Sequence, residues 1–582
     1  MQRSRLVVRF AFLAVVSIGL SGYSCQQPGA QTGTGQWLFW GGNLHNTHSA
    51  ESEKKISSDS VWSLQPKWSF DTLGNVHGVP MVKDGRVYFM DAGLPLLPGP
   101  PGGKLRVLDA ASGNEIWSKS IFDYSLSLVH NLARTTPVLA GDLLIFGDNR
   151  NQPSSLLDIG SGGATLYAVN KDNGNLVWKT TLDPHPLAVV TQSPVVYNGR
   201  IYVGVSSQEE GAARLGYSCC TFRGSVLAID AATGKIVWRS FMVPDNFGQT
   251  GNYAGAAVWG SSPSIDEERH VVYVATGNNY SLPDALEQCL GQHRGDPAAQ
   301  QTLCFDPLDA KDNLAFSVLA LDLDTGATRW ARKLQNYGSW TLACDTKFAP
   351  WLPANKGNCR DLDGADFDFG QAPMLYTVRN GSGARDLIAT GQKSGVFWAF
   401  DPDHDGATVW ATTVGPGGDL GGMEFGAATD GERIYAQLTN FEHTPFQLTA
   451  GAHAGETTDG GIWAALDAAT GKLVWQLPDP SSTRPKTGLM IHPYWGSGLG
   501  PGFFAADMGP ISVANGLVFA GSMDPEGHVY AIDGKSGEIR WSYATGASIM
   551  SAPAIVDGVL YWGSGYDKGM NGHKIFAFAP SN

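Results

Sequence analysis

The segment SVLAIDAATGKIVW, residues 225–238, carries a pattern that runs through most of this chain. Apolar residues alternate along its two ends, which predicts two half-buried β-strands. Between the strands, Asp230 and Gly234 are typical of a tight turn, because Asp caps the turn through its own backbone and Gly supplies a positive φ. The second strand ends in Trp238. The segment therefore predicts a β-hairpin that closes with a tryptophan.

Versions of this hairpin recur at intervals of about 60 to 90 residues. The complete copies end at Trp117, Trp178, Trp238, Trp330, Trp410, Trp475 and Trp541. Further strand-like runs lie between the copies, so each repeat contains about four strands plus loops. Four-stranded units at such a spacing are typical of a β-propeller, and an extended solenoid is the alternative.

The two ends of the chain supply the parts of an eighth unit. HKIFAFAPSN, residues 573–582, has the strand but no tryptophan, whereas LQPKWSF, residues 64–70, has Trp68. Pairing these segments closes the ring without an exposed edge strand. We therefore predict an all-β chain with one eight-bladed propeller domain over residues 25–582, in which Trp68 lies near Ile575–Ala577. The site-bearing insertions are expected around residues 205–222, 244–260, 279–313 and 341–370.

The first 24 residues have the features of a secretory signal peptide. MQRSRLVVR is basic, FAFLAVVSIGL is apolar, and small residues follow. The apolar run is too short for a membrane span. The sequence predicts export to the periplasm or the medium with no membrane span, and a lipid anchor at Cys25 is the alternative.

Charge and cysteine content narrow the possible functions. With 40 basic and 54 acidic side chains, the net charge of −14 argues against a nucleic-acid partner. Apart from Cys25, the cysteines form three sequence-local pairs, Cys219/Cys220, Cys289/Cys304 and Cys344/Cys359. Export permits disulfides, but six cysteines allow fifteen pairings, and free thiols at the adjacent pair are the alternative. No cysteine lies in a C-x-x-C-H haem motif or a C-x-x-C zinc motif.

The repeat A-x-D-x-x-T-G-x-x-x-W resembles the blades of proteins related to pyrroloquinoline quinone (PQQ) dehydrogenases. The resemblance extends over nearly the whole mature chain and implies PQQ as cofactor. Because outer-membrane assembly lipoproteins have similar blades without a cofactor, a non-catalytic binding or assembly scaffold is the alternative function. Loops between the strands must therefore distinguish an enzyme from a scaffold.

Several loops resemble the cofactor-binding segments of quinoprotein alcohol dehydrogenases. VVTQSPVVYNGRIYVGVSSQEEG resembles the stretch with quinone-binding hydroxyls, GAAVWGSSPSID resembles the one with the indole floor, and ATGQKSGVFWAFD and HNLARTTPVL resemble the ones with cationic contacts. The resemblance implies cofactor-binding roles for Thr191, Ser206, Trp259, Lys393 and Arg134.

The same comparison implies a metal site and a catalytic base. Glu209 is the implied acidic ligand, with Glu210 as its rival, and Asn278 in VYVATGNNYS is the implied amide ligand. Many relatives have W-D-Y-D at the catalytic position, whereas here Thr341 follows Trp340 and an insertion precedes DFDFGQAPML.

Counting back from Pro373 in DFDFGQAPML places Asp366 at the catalytic position, as base and metal ligand. Asp368 lies two residues later in an extended segment and is expected to point the same way. It adds a possible further ligand. Asp312 in AKDN is the alternative base.

Carboxylate and amide oxygens suit Ca²⁺ rather than zinc or copper, and the extra charge of Asp368 would suit a lanthanide. Such a cation acts as a Lewis acid, Asp366 removes the alcohol proton, and PQQ is the electron acceptor.

The cysteine pair in GYSCCTFRGS follows Glu209 closely and is expected to lie over the pocket mouth. Quinoprotein methanol dehydrogenases also have a disulfide of adjacent cysteines against the quinone, so the resemblance implies a cofactor contact for Cys219 and Cys220. WGGNLHNTHSAESEKKIS, GVSSQEE, CCTFRGS and TGNNYS resemble polyvinyl alcohol dehydrogenases, which implies a secondary alcohol substrate. Well-known members carry a haem c domain, which this sequence lacks. We therefore expect no haem, and a separate acceptor such as a cytochrome c or a quinone.

Overall fold

The computed structural model describes residues 35–93, 102–127, 132–149, 163–334, 336–344, 354–359, 364–381, 383–419, 421–483, 487–492, 496–501, 507–566 and 572–581. Residues 32–582 form one unit. The predicted signal peptide and Cys25 lie outside the described residues.

The structure contains eight antiparallel sheets that correspond to eight blades. Blade 1 contains β2 (Met81–Lys83), β3 (Arg86–Asp91), β4 (Lys104–Asp109) and β5 (Glu115–Ser120), and blade 2 contains β6 (Val138–Ala140), β7 (Leu143–Gly147), β8 (Ala164–Asn170) and β9 (Leu176–Asp183). Blade 3 contains β10 (Ala188–Val189), β11 (Val195–Tyr197), β12 (Arg200–Ser207), β13 (Ser225–Asp230) and β14 (Ile236–Phe241), and blade 4 contains β16 (Ser264–Asp266), β17 (Val271–Ala275), β19 (Ser317–Asp322) and β20 (Thr328–Lys333).

The remaining blades continue in chain order. Blade 5 contains β21 (Met374–Asn380), β22 (Gly383–Gly391), β23 (Val396–Asp401) and β24 (Ala407–Thr413), and blade 6 contains β25 (Ala428–Thr429), β26 (Arg433–Leu438), β29 (Ile462–Asp467) and β30 (Leu473–Pro478). Blade 7 contains β33 (Ser512–Ala514), β34 (Leu517–Gly521), β35 (His528–Asp533) and β36 (Ile539–Ala544), and blade 8 contains β37 (Ala554–Val556), β38 (Val559–Gly563), β39 (Lys574–Pro580) and β1 (Leu64–Asp71).

Short strand pairs and helices lie in the segments that connect the blade strands. Two-stranded pairs are β15 (Ala254–Gly255) with β18 (Asn279–Ser281), β27 (Phe446–Gln447) with β28 (Thr457–Thr458), and β31 (Thr487–His492) with β32 (Gly496–Pro501). The α-helices are α1 (Phe122–Ser125), α2 (Glu209–Ala212), α3 (Asp284–Gln292), α4 (Pro297–Ala299) and α5 (Asp306–Leu308). A π-helix covers Gln300–Phe305, and 3₁₀ turns cover Val61–Ser63, Ala213–Leu215, Pro402–His404 and Pro480–Thr483. In the described part of the chain, no helix has the length and apolar character needed to cross a bilayer.

The predicted eight-bladed propeller and its closure are confirmed. β1 pairs with β39, with Trp68 opposite Ala577 and Phe70 opposite Ile575. The N-terminal strand thus completes the sheet formed by the C-terminal strands. Blade 3 differs from the prediction of four strands because the short strand β10 also pairs with β12.

Each repeat tryptophan docks on the next blade, and the repeat glycine makes this possible. The Trp178 indole N–H donates to the Ala231 carbonyl at 3.1 Å. A Cβ at Gly234 would lie 2.7 Å from the Trp178 ring, so glycine is needed here for close approach as well as for its φ of +72°. The Trp541 N–H donates to the Leu64 carbonyl at 3.0 Å and so joins blade 7 to the closing strand.

The segment 37–50 runs along the first strands of several blades. Its backbone bonds to Val82, Ile265, Leu375, Thr429 and Val513, in blades 1, 4, 5, 6 and 7. The segment buries Asn46 and His48. WGGNLHNTHS, part of the quoted family-like stretch, therefore helps to hold the ring together.

The loops that join the second strand of a blade to its third, and the fourth strand to the next blade, emerge at the same end of an antiparallel propeller. We call this end the site face. It includes residues 208–224 of blade 3, 276–316 of blade 4, the described residues 334, 336–344, 354–359 and 364–373 between blades 4 and 5, and 392–395 of blade 5.

Candidate active site

Several predicted residues meet on the site face around a buried ion pair. The Lys393 ammonium lies 2.8 Å from Oδ2 of Asp366 and 3.5 Å from Oε1 of Glu424, and it donates to the Asp419 carbonyl at 3.1 Å. Lys393 follows β22, whereas Asp366 lies in the loop before β21. Both side chains are almost fully buried. Two loops that are separate in sequence thus form one charged centre.

The surroundings alter the proton affinities of this pair. Burial raises the pKa of Asp366 well above its usual range, with Lys393 opposing the rise and the charges of Asp368 and Glu210 adding to it. Burial lowers the pKa of Lys393, but the charges of Asp366 and Glu424 outweigh burial and raise it. Asp366 is therefore a stronger proton acceptor than an exposed aspartate.

Asp368 orients its neighbours. Its Oδ2 accepts the Trp259 indole N–H at 2.6 Å, and its Oδ1 accepts the Asn278 backbone N–H at 2.5 Å. A Cβ at Gly277 would lie 2.6 Å from the Asp368 carboxylate, so only glycine fits beside it. Both oxygens of Asp368 are used within the protein, and this carboxylate links the indole to the loop between β17 and β18 that carries Asn278.

Two buried oxygens near this network have no hydrogen-bond donor. The Asn278 side-chain N–H₂ donates to the carbonyls of Trp340 at 2.8 Å and Asn279 at 3.2 Å, which fixes the orientation of the amide. Oδ1 of Asn278 and Oδ1 of Asp366 are then buried with no hydrogen-bond partner among the described residues. Such groups are costly unless a ligand satisfies them. An amide oxygen and a carboxylate oxygen suit a hard cation, so these residues fit the implied metal.

The structure distinguishes the two adjacent glutamates in α2. Glu209 is fully buried, and its oxygens accept the backbone N–H groups of Thr221 and Phe222, each at 2.9 Å. His185 Nε2 lies 3.4 Å from Glu209 Oε1. Glu209 therefore holds the segment that follows the cysteine pair. By contrast, the charge of Glu210 is among the causes that raise the pKa of Asp366.

Trp259 provides a flat surface beside the ion pair. The Lys393 ammonium lies 5.2 Å from the centre of the indole, and Phe425 packs edge-on at 5.8 Å. A Cβ at Gly370 would lie 2.9 Å from the indole, so the backbone there approaches closely. The Arg134 guanidinium lies 5.8 Å from the Phe425 ring and so approaches the same region from blade 2.

The other predicted cofactor contacts come from blade 3. Ser206 is buried near the end of β12, and Thr191 lies in the loop before β11 with its Oγ1 buried and without a hydrogen bond among the described residues. Cys219 and Cys220 are buried in the cluster that also contains Tyr280. The structure joins Cys219 to Cys220, Cys289 to Cys304 and Cys344 to Cys359.

Asp312 lies away from the ion pair. Its side chain is exposed, and its charge acts on Arg223 and Tyr253. The structure therefore favours Asp366 over this alternative.

The sequence did not identify Glu424 or Tyr280 as site residues. Tyr280 is buried two residues after Asn278, and burial raises its pKa well above the usual range, with Glu210 and Asp368 adding to the rise. Glu424 lies in the loop after β24 in a segment without a recognised motif. Proximity to Asn278 was the available signal for Tyr280, whereas nothing in the sequence indicated Glu424.

The chain is similar in sequence to known proteins. Residues 183–416 match the family described as glucose/ethanol/alcohol dehydrogenase, beta-propeller domain, and residues 65–218 and 458–572 match the one described as outer membrane protein assembly factor BamB. A polyvinylalcohol dehydrogenase from Pseudomonas sp. is 27% identical over 94% of this chain and 77% of its own length. One from Sphingopyxis sp. (strain 113P3) is 28% identical over 94% of this chain and 76% of its own.

Solved structures show the same fold. The quinohemoprotein alcohol dehydrogenase of Comamonas testosteroni has a TM-score of 0.62 at 17% identity, covering 94% of this chain and 80% of that one. A europium-containing methanol dehydrogenase has a TM-score of 0.62 at 16% identity, covering 94% and 98%. The chain is thus similar in sequence to PQQ-dependent alcohol dehydrogenases, which are oxidoreductases, and it shares the propeller fold of the solved structures.

Proposed function

We propose that this protein uses PQQ and a bound cation to oxidise a secondary alcohol to a ketone and passes the electrons to a separate acceptor. The observation that carries the proposal is the pair of unsatisfied buried oxygens, Asn278 Oδ1 and Asp366 Oδ1, beside the Lys393 ion pair. A scaffold protein gains nothing from burying such groups, because each of them destabilises the fold. The secondary alcohol is supported by the polyvinylalcohol dehydrogenases that the chain resembles, since that polymer carries secondary hydroxyls.

The half-buried indole of Trp259 is the centre of the proposed PQQ site. The indole offers a face for stacking, Lys393 and Arg134 offer positive charge for carboxylates and quinone oxygens, and the hydroxyls of Thr191 and Ser206 offer hydrogen bonds. The disulfide of Cys219 and Cys220 is proposed to lie over the opposite face. When bound, PQQ supplies the electron sink that no amino-acid side chain provides.

The proposed cation ligands are Asn278 and Asp366, with Asp368 as a further carboxylate. For the acidic ligand, the family resemblance implies Glu209. The hydrogen bonds from Thr221 and Phe222 to Glu209, and the effect of Glu210 on Asp366, favour Glu210 instead. Ca²⁺ suits this oxygen set, and a lanthanide would gain more from the additional carboxylate. A bound cation supplies Lewis acidity toward an oxygen atom next to it.

The protein's own contribution is a positioned, buried base. Asp366 holds Oδ2 on Lys393, and its Oδ1 is proposed to bind the cation through one lone pair and to accept the proton of the substrate hydroxyl through the other. Burial raises the pKa of Asp366, and a cation bound to the same carboxylate would oppose that rise. Lys393 keeps the carboxylate oriented, and burial excludes water from the reacting groups.

Export and an external acceptor complete the proposal. The signal-peptide pattern supports a periplasmic or secreted enzyme, and a cytochrome c or a quinone in that compartment would take the electrons. Fractionation of expressing cells tests the location. Reduction of added cytochrome c or of a soluble quinone by the loaded enzyme separates the two acceptors.

The decisive experiment loads purified protein with PQQ and Ca²⁺ and measures dye reduction with a secondary alcohol, a matched primary alcohol and polyvinyl alcohol. We expect turnover that depends on both additions and is fastest with a secondary hydroxyl. A parallel loading with a lanthanide tests the metal. If the protein neither binds PQQ nor reduces the dye under any loading, the scaffold function replaces the enzyme.

A further inference from the structure

A second group of buried acidic side chains lies between blades 6 and 7. Asp479 follows β30, Asp507 precedes β33, and Asp524 lies between β34 and β35. All three are fully buried. Their loops belong to the site face, but they lie in different blades from Asp366 and Lys393.

Serine groups fix the carboxylate of Asp479. The Ser522 hydroxyl donates to Asp479 Oδ2 at 2.6 Å, and the same Oγ accepts the Asp524 backbone N–H at 3.0 Å. The Ser481 backbone N–H donates to the other oxygen of Asp479 at 2.8 Å. The carboxylate of Asp479 is therefore held in one orientation at the edge of blade 6.

Asp507 faces this fixed carboxylate with little to satisfy it. Burial and the neighbouring charge of Asp479 raise the pKa of Asp507 well above its usual range. Neither oxygen of Asp507 has a hydrogen-bond donor in the part of the chain that the structure describes, and the same holds for the buried hydroxyl of Ser481. No lysine or arginine of the described residues forms an ion pair with Asp479 or Asp507. Among the described residues, no cationic side chain therefore balances the charge of Asp479 and Asp507.

A proton shared between the two carboxyl groups would satisfy only part of this site. It would join one oxygen of each group and leave the second oxygen of Asp507 and the hydroxyl of Ser481 unsatisfied. A Ca²⁺ ion takes six to eight oxygen ligands and can bind carboxylates through one or both oxygens. A single ion would therefore satisfy both oxygens of Asp507 and the hydroxyl of Ser481.

We propose that Asp479 and Asp507 bind a second divalent cation of the Ca²⁺ type, with Ser481 Oγ as a neutral ligand. The charge of Asp524 adds to the attraction from close by. His528 Nδ1 bonds to Asp524 Oδ2 at 2.5 Å, and His528 is not one of the proposed ligands. An all-oxygen donor set disfavours zinc and copper.

The position of the ion gives it a structural role. Asp479 comes directly after the last strand of blade 6, whereas Asp507 comes just before the first strand of blade 7. An ion bound by both would clamp consecutive blades together. Because it binds the folded ring and not the unfolded chain, Ca²⁺ would raise the melting temperature even without PQQ.

The test counts bound Ca²⁺ per chain by equilibrium dialysis, using the whole protein after removal of metals. We expect two ions in the wild type, one in Asp507→Asn, one in Asp366→Asn and none in the double variant. Asparagine keeps the size of aspartate and can hydrogen-bond to Asp479, so Asp507→Asn should fold. The matched control is Asp142→Asn, whose side chain is 81% exposed and which should keep both ions.

A second measurement avoids dependence on the Asp507 variant. Terbium binding to Asp366→Asn should show one remaining site, and Ca²⁺ should still raise its melting temperature. The proposal is overturned if this variant binds no ion, or if Asp507→Asn keeps the wild-type number. The shared proton would be indicated instead if Asp507→Asn is more stable than the wild type and the difference in melting temperature is the same with Ca²⁺ and with a chelator.

Discussion

Oδ2 of Asp366 accepts a hydrogen bond from Lys393 at 2.8 Å, while Oδ1 of the same carboxylate is buried without a donor among the described residues. The two oxygens of one side chain therefore have different surroundings. One is fixed by Lys393, and the other is left for the proposed cation and substrate. This asymmetry is what a positioned base requires, since orientation and proton acceptance are assigned to separate atoms.

Replacing Asp366 by Asn should abolish most turnover and leave the fold nearly intact. The amide cannot accept the alcohol proton, and loss of a general base typically costs a factor of 10² to 10⁴ in rate. The measurement is kcat for dye reduction after loading with PQQ and Ca²⁺, alongside the melting temperature. Asp312→Asn is the matched control and should keep wild-type turnover because Asp312 is exposed. Full activity in Asp366→Asn together with an inactive Asp312→Asn would move the base to Asp312.

Replacing the two adjacent glutamates by glutamine should separate their roles. Glu209→Gln removes one of the two acceptors for the N–H groups of Thr221 and Phe222 and should cost about 1–3 kcal/mol of stability. Glu210→Gln should instead weaken Ca²⁺ binding at the active site, by about tenfold or more if a direct ligand is lost. Calorimetric unfolding and Ca²⁺ titration measure the two effects. The opposite outcome would assign the ligand to Glu209, as the family resemblance implies.

Replacing Trp541 by Ala should weaken the closure of the ring. Its indole is 9% exposed and donates to the Leu64 carbonyl at 3.0 Å, so truncation removes buried contacts and a hydrogen bond together. Large-to-small changes of this kind cost about 3–5 kcal/mol. Denaturant unfolding of Trp541→Ala and of Trp62→Ala, whose side chain is 71% exposed, provides the comparison. Equal losses in both variants would contradict the closure.

Acid should destabilise the ring through His48. Burial lowers the pKa of this histidine from 6.5 to about 3, so below pH 6.5 the unfolded chain binds a proton that the folded chain does not. Stability is therefore present above pH 6.5 and is lost as the pH falls, by about 2 kcal/mol between pH 7.5 and 5. Over the same pH range, His48→Asn should lose about 2 kcal/mol less stability than the wild type loses. Asparagine suits the φ of +51° at this position. The control is His573→Asn, because His573 is exposed. Denaturant unfolding at pH 7.5 and 5 should show the same change in the free energy of unfolding for this variant as for the wild type. The prediction is refuted if His48→Asn also shows the wild-type change.

The cysteines should be oxidised in local pairs. Peptide mapping without reduction should link Cys219 to Cys220, Cys289 to Cys304 and Cys344 to Cys359, in agreement with the pairs that the structure joins. The 289–304 bond closes a loop across the helical insertion of blade 4, so its reduction should lower the melting temperature. A free thiol in any of these positions, or a link between different pairs, would contradict the pairing.

Strand positions, the hairpin turns and the ring closure followed from the sequence because their signals are local and repeated. The alternation of apolar and polar residues at period two predicts each strand. The Trp of one copy packs against the Gly of the next copy, as Trp178 and Gly234 show. The split eighth blade was predictable for the same reason, since an unclosed ring would expose the edges of two strands.

The site was predictable only in part. Trp259, Asn278, Asp366 and Lys393 lie in short motifs whose residue types suggest cofactor chemistry, and the structure brings them together. The sequence suggested Asp368 only as an additional ligand, whereas the fold uses both of its oxygens to orient Trp259 and Asn278.

Three features were not indicated by any sequence motif. They are the position of Glu424 beside Lys393, the different roles of Glu209 and Glu210, and the facing carboxylates of Asp479 and Asp507. Each depends on loops from different blades meeting at one end of the ring. Loop residues carry no periodicity, so the direction of a side chain there follows from the packing of distant segments. The local pattern of this chain therefore determines the ring, while long-range packing determines which carboxylates face one another.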